Sequence, residues 1–165
     1  GDALVTNKKE FPIAILTADC VPILIYDEKE KMIAAIHAGW KGAFKEIIKR
    51  TLNFMIKKGC TPKNITAVIG PCISVKNYEV KKDFIKKLIK KDGKNKKFFK
   101  KIQNKDFFDL KKYVLSQLKA LNIKKIDIIN KNTFNPKNNF FSARRSISRN
   151  ENDYGRNISV IMINS

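Results

Sequence analysis

Histidine is almost absent from this chain: His37 is the only one in 165 residues. Chemistry that needs several imidazoles, such as a set of copper ions, is therefore beyond the chain's own side chains, and copper ranks low as a cofactor. Cysteine is also scarce. Cys20, Cys60 and Cys72 are odd in number and show no Cys-x-x-Cys spacing, which excludes a disulfide framework and a zinc finger and leaves reduced thiols. No apolar run approaches the roughly eighteen residues that span a bilayer, and the N-terminus lacks the layout of a signal peptide. The expectation is a soluble, cytoplasmic protein with no membrane partner. Acids are few, 15 against 35 lysines and arginines, for a formal charge of +20. Such an excess invites a nucleic-acid reading, because basic clusters release counterions from phosphate backbones. Here the lysines are dispersed among asparagines and isoleucines, with no RNP-type motif, zinc finger or helix-turn-helix signature. A solvated lysine surface is the favoured reading, and a basic nucleic-acid-binding module stays as an alternative. An initiator methionine is missing too: Gly1-Asp2-Ala3-Leu4-Val5-Thr6 reads as the continuation of a longer chain.

What is present is a 43% hydrophobic sequence, enough for one domain over residues 1–165 with a real core. A monomer is the default expectation. Apolar runs predict strands at Ile13 to Leu16, Val21 to Tyr26 and Met32 to His37, with Asp27 to Lys31 as a polar turn. Lys41 to Lys58 carries Phe44, Ile47, Ile48, Leu52, Met55 and Ile56 at helical spacing and stops at Gly59. Ile65 to Ile69 predicts a buried strand running into the Gly70-Pro71-Cys72 turn, and Glu79 to Ile89 a helix. The lysine-rich stretch Lys90 to Lys105 reads as a mobile loop or frayed helix. Asp109 is a candidate N-cap for a helix from Leu110 to Leu121, and strands follow at Ile126 to Ile129 and Ile158 to Ile163.

The residues with chemical potential gather at strand ends. Thr17-Ala18-Asp19-Cys20 closes one apolar strand, and His37-Ala38-Gly39-Trp40-Lys41-Gly42 closes another. A thiol and an imidazole at neighbouring strand ends make either a metal site or a Cys/His dyad. A third metal ligand would come from upstream of Gly1, from Asp19 or Cys72, or not exist. In the dyad reading Asp19 orients His37. Lys41 adds positive charge for an anion. Arginine is scarce, so Arg144 and Arg145 stand out as forks for phosphate or carboxylate. Adjacent residues of a strand point to opposite sides, so no more than one of the two is expected to face a site.

Five segments in order, Asp2 to Thr6, Thr17 to Leu24, His37 to Gly42, Ile69 to Ile73 and Phe140 to Arg145, resemble the polyphenol oxidase or laccase-domain family. Its members are also called zinc-type purine nucleoside phosphorylases or peptidoglycan editing factors. The resemblance implies a single α+β domain with mixed β-sheets layered between helices. It also implies a zinc site of two histidines and one cysteine, in which Cys20 and His37 match two ligands and the other histidine falls before Gly1. The implied substrates are a purine nucleoside, namely adenosine, inosine, guanosine or methylthioadenosine, and inorganic phosphate. In phosphorolysis Lys41, Arg144 or Arg145 holds the phosphate; adenosine deamination is implied for some members, with Asp19 as proton shuttle. A Cys/His amide hydrolase editing peptidoglycan precursors and a copper-dependent polyphenol oxidase are the alternatives that the family's other names imply.

Overall fold

The computed structural model describes residues 1–165. Strand β1 (Ala3–Thr6) is followed by β2 (Ile13–Thr17), β3 (Val21–Asp27) and β4 (Met32–Ala38). The turn between β3 and β4 forms because Asp27 organises it. Its Oδ1 accepts from Lys29 N at 3.0 Å and Glu30 N at 2.9 Å, while Oδ2 accepts from Thr61 N at 3.1 Å. Helices α1 (Trp40–Phe44) and α2 (Ile47–Lys57) lead to β5 (Ile65–Ile69), and α3 (Lys82–Lys91) to the hairpin of β6 (Phe99–Ile102) and β7 (Lys105–Phe108). Helix α4 (Leu110–Ala120), β8 (Lys125–Ile128), α5 (Ala143–Ser148) and β9 (Asn157–Ile161) complete the chain.

The main sheet has the order β1-β4-β3-β5-β8, antiparallel except for the β5–β8 pair. Side chains alternate across it. Ile23 and Ile25, Ala34 and Ile36, and Ile65, Ala67 and Ile69 face a core shared with Ile48, Leu52 and Met55 of α2 and Leu110, Val114 and Leu118 of α4. On the opposite face Ile33 and Ala35 pack against Ile13 and Ile15 of β2, which pairs with β9 in a separate two-stranded ribbon. The class is α+β, as expected, but helices cover only one side of the sheet. The ribbon's outer face is bare, with Leu16, Ile158 and Val160 exposed at 55%, 64% and 48%.

Three local expectations are corrected. The helix expected from Lys41 to Lys58 is two helices, because Glu46 takes a left-handed conformation at φ 62. Side chains from neighbouring elements bond the carbonyls around this break: Gln117 Nε2 donates to Ala43 O at 3.0 Å, Arg50 Nη2 to Lys45 O at 2.7 Å, and Lys91 Nζ to Phe44 O. The stretch from Lys90 to Lys105 is ordered. Gln103 and Asn104, both left-handed, close the β6–β7 hairpin, and Phe98, Phe99 and Phe108 pack edge-on and tilted around Phe84 and Tyr113. The helix expected from Glu79 starts at Lys82, since the backbone of Tyr78 to Val80 pairs with β7 instead. Asp109 caps α4 as expected, accepting from Lys112 N at 2.9 Å.

Candidate functional site

Register decides where the site falls. Pairing of β3 with β4 sets Val21 opposite Ala38 and Pro22 opposite His37, so Cys20, one residue before the ladder, lies beside Gly39, one residue after it. A Cβ built on Gly39 would stand 3.0 Å from Cys20 Sγ and 3.7 Å from His37 Nε2. Sulfur and ring nitrogen therefore converge on one small volume. Only a glycine leaves that volume open. The other ring nitrogen, His37 Nδ1, faces Asp2 Oδ1 at 3.8 Å, and the two strands are tied by His37 N donating to Asp2 O at 2.8 Å. The ring thus turns Nδ1 toward the Asp2 side and Nε2 toward Cys20. Trp40, Lys41 and Gly42 complete a cleft of about 250 Å³ around Cys20 and His37.

Cys20 itself is not a standing thiolate. Burial, reinforced by the carboxylates of Asp19 and Asp2, pushes its thiol up to about 11. A nucleophilic cysteine carries the opposite perturbation, a lowered value next to a cation. Cys72 is buried behind the cleft and pushed up to about 12, chiefly by burial, and Cys60 donates to Met32 Sδ at 3.7 Å in the core. Neither reaches the cleft between Cys20 and His37.

Asp19 turns away from the imidazole. The residue is left-handed, at φ 83, and this conformation lets the chain cross from the ribbon to the main sheet. Its Oδ1 accepts from Thr133 Oγ1 at 2.6 Å, and its Oδ2 accepts from Ser142 Oγ at 3.0 Å and Arg144 N at 2.7 Å. A proton-shuttle role would require one of these donors to let go. The same contacts pin the start of α5 against the Cys20 turn. Arg144 and Arg145 sit on a helix and not on the strand that was expected, and their side chains take different directions. Arg145 is turned inward, with Nη1 donating to Thr133 O at 2.8 Å and Nη2 to Phe140 O at 2.6 Å, so it ties down a loop instead of presenting a free fork. Arg144 lies over the Tyr78 ring at 5.2 Å and donates through Nη1 to Glu79 O at 3.0 Å. It shares a second cavity with Cys20.

The profile described as multi-copper polyphenol oxidoreductase laccase matches residues 1–164. The chain belongs to this family. Among laccase-family relatives, a Rickettsia conorii protein named purine nucleoside phosphorylase is 38% identical over 160 residues, 96% of this chain and 65% of that protein. A purine nucleoside phosphorylase of Bacteroides thetaiotaomicron is 48% identical over 80 residues, 48% of this chain and 30% of that one. The crystal structure of a Neisseria meningitidis protein superposes with a TM-score of 0.86 at 28% identity, over 99% of this chain and 65% of the other. That of the Bacillus licheniformis hypothetical protein YfiH gives 0.86 at 29%, over 98% and 61%. The chain thus spans less than two thirds of these longer relatives. No helix is long and apolar enough to cross a membrane.

As a metal centre the donor set is incomplete. A thiolate and an imidazole suit zinc by softness, but a catalytic zinc usually takes three protein ligands, and no group of three histidines, cysteines or acids comes together. Sequence reasoning missed two participants, Asp2 and Tyr78. Asp2 was visible as the first residue of the Asp2 to Thr6 segment but without a role, and strand pairing reveals what it faces.

Proposed function

We propose that this cleft cleaves purine nucleosides by phosphorolysis, with adenosine, inosine, guanosine or methylthioadenosine as substrates. The observation that carries the reading is the convergence of Cys20 Sγ and His37 Nε2 beside Lys41 in a fold whose relatives bear the name purine nucleoside phosphorylase. In this reaction a phosphate oxygen bonds to the anomeric carbon of the ribose. The carbon–nitrogen bond breaks, and the base leaves with its electron pair and takes up a proton.

Cys20 and His37 would hold two positions of a zinc ion, with the third protein donor coming from beyond residues 1–165. Such an ion supplies a Lewis acid and a water of lowered pKa. This chain's own residues meet the other demands. Lys41 brings positive charge beside Cys20 and His37 and receives the phosphate. Asp2 places a carboxylate 3.8 Å from His37 Nδ1, and Asp19 keeps Arg144 close to Cys20. Removal of the adenosine amino group is the finer activity proposed for the same cleft.

The rival readings have less support. A Cys/His amide hydrolase needs the Cys20 thiolate without a metal ion to stabilise it, and burial pushes that thiol up to about 11. A phenol oxidase with several coppers needs more imidazoles than the single His37. The test is chromatography of adenosine and inosine incubated with purified protein, with and without phosphate. Release of free base that depends on phosphate and disappears in Cys20→Ala and His37→Ala is expected, and inosine formed from adenosine would mark deamination. No release of base, or release indifferent to phosphate, would overturn the proposal.

A further inference from the structure

Cys20 lines two cavities, one on each side of it. On the side away from His37 a pocket of about 210 Å³ is lined mostly by apolar side chains, among them Ala18, Ile73, Leu110 and Ile147, with Asp19, Tyr78 and Arg144 as its polar members; the Asp19 carboxylate is already engaged by Thr133, Ser142 and the Arg144 N–H. The proposed function leaves this pocket unexplained. The Tyr78 hydroxyl receives no hydrogen bond from the protein and donates none, although the residue is largely enclosed. The hydroxyl is thus uncommitted within the protein and stands at the cavity wall, where it can pair with a ligand. Burial, with Cys20 as a lesser cause, pushes this phenol up to about 12, so it is a neutral donor and acceptor at working pH. Neither cavity is large enough to enclose a nucleoside, since pockets for ligands of that size run to about 300–1,000 Å³. Together they are, and they meet at Cys20.

We propose that the pocket of Tyr78, Ile73, Leu110 and Ile147 is the base-binding lobe of the site, with the Tyr78 hydroxyl hydrogen-bonding an edge nitrogen or oxygen of a planar purine. The inference rests on the nucleoside reading and names the part of the substrate that each cavity takes. Apolar walls receive the flat base. The ribose then reaches past Cys20 into the polar cleft of His37 and Lys41.

The experiment compares wild type, Tyr78→Phe and Ile147→Trp. Ile147 is 63% exposed at the pocket wall, so the larger side chain can narrow the pocket without entering the core. Steady-state kinetics with inosine and phosphate are measured beside calorimetric titration with free adenine. Both variants are expected to raise the KM for inosine by about tenfold or more, the loss of one to two hydrogen-bonded or packed contacts, while the KM for phosphate stays within twofold. Wild type is expected to bind adenine and Ile147→Trp to lose that binding. If wild type turns over and both variants keep the inosine KM within twofold, the lobe is wrong and the nucleoside reading stands. If wild type shows no turnover, adenine binding abolished by Ile147→Trp upholds the lobe alone, and no adenine binding by wild type overturns both.

Discussion

Replacing Asp19 tests whether one carboxylate holds the site together. In Asp19→Ala three donors lose their acceptor at once: the hydroxyls of Thr133 and Ser142, both buried, and the backbone N–H of Arg144. Bonds to a charged acceptor contribute about 1.5–3 kcal/mol each, and a donor left buried without a partner costs about 1–3 kcal/mol. The three are not additive, because the two hydroxyls can rotate toward other acceptors, so the expected loss is about 3–5 kcal/mol. For a domain of this size that is a fall in melting temperature on the order of 10 °C. Asp19→Asn should lose much less, about 1–2 kcal/mol. Its remaining oxygen can serve Ser142 and Arg144, and the Thr133 hydroxyl can turn round to accept from the new amide. Urea unfolding monitored by circular dichroism reads both values. A loss below about 1 kcal/mol in Asp19→Ala, or equal losses in the two variants, would refute the idea that Asp19 latches α5 and the loop of Thr133 onto the Cys20 turn.

Gly39→Ala should act on stability and chemistry together, because its methyl would lie 3.0 Å from Cys20 Sγ and force the sulfur aside. Overpacking of this kind costs about 1–3 kcal/mol, and base release should fall by more than tenfold when assayed beside a thermal melt. High pH gives a further check. Burial holds the folded-state pKa of Tyr78 at about 12, above the value of about 10 in an unfolded chain. Between these values the unfolded chain loses its proton first, so folding stability declines as pH rises through that window, and the part due to Tyr78 is intact below it. The phenolate absorbance of wild type minus that of Tyr78→Phe should show ionisation only near pH 12.

Much of the fold was legible because the sheet writes itself in short apolar runs. The strands at Ile13, Val21, Met32 and Ile65 were visible as such, and so was the Asp109 cap. Long-range pairing was not. The β6–β7 hairpin hides behind lysines that stay in water while Phe98, Phe99 and Phe108 turn inward, a pattern that resembles a polar loop until the partner aromatics Phe84 and Tyr113 are in place. The break at Glu46 left no trace in the apolar spacing either, since residues on both sides of it face the same core. At the site, Cys20 and His37 could be named from their strand ends, and the register of β3 with β4 brings them together. The different fates of Arg144 and Arg145 could be anticipated only as a matter of number. Which one ties down the loop depends on carbonyls of Thr133 and Phe140 that no local pattern announces.

The central claim is that Cys20 and His37 serve one ion. Cobalt(II) exchanged into the purified protein reports this directly, because a thiolate ligand gives an intense near-ultraviolet charge-transfer band and a tetrahedral site gives strong visible bands. The band should be present in wild type, absent in Cys20→Ala, and accompanied by weakened visible absorption and looser cobalt binding in His37→Ala. A charge-transfer band that survives Cys20→Ala, or cobalt binding that ignores His37→Ala, would contradict the account.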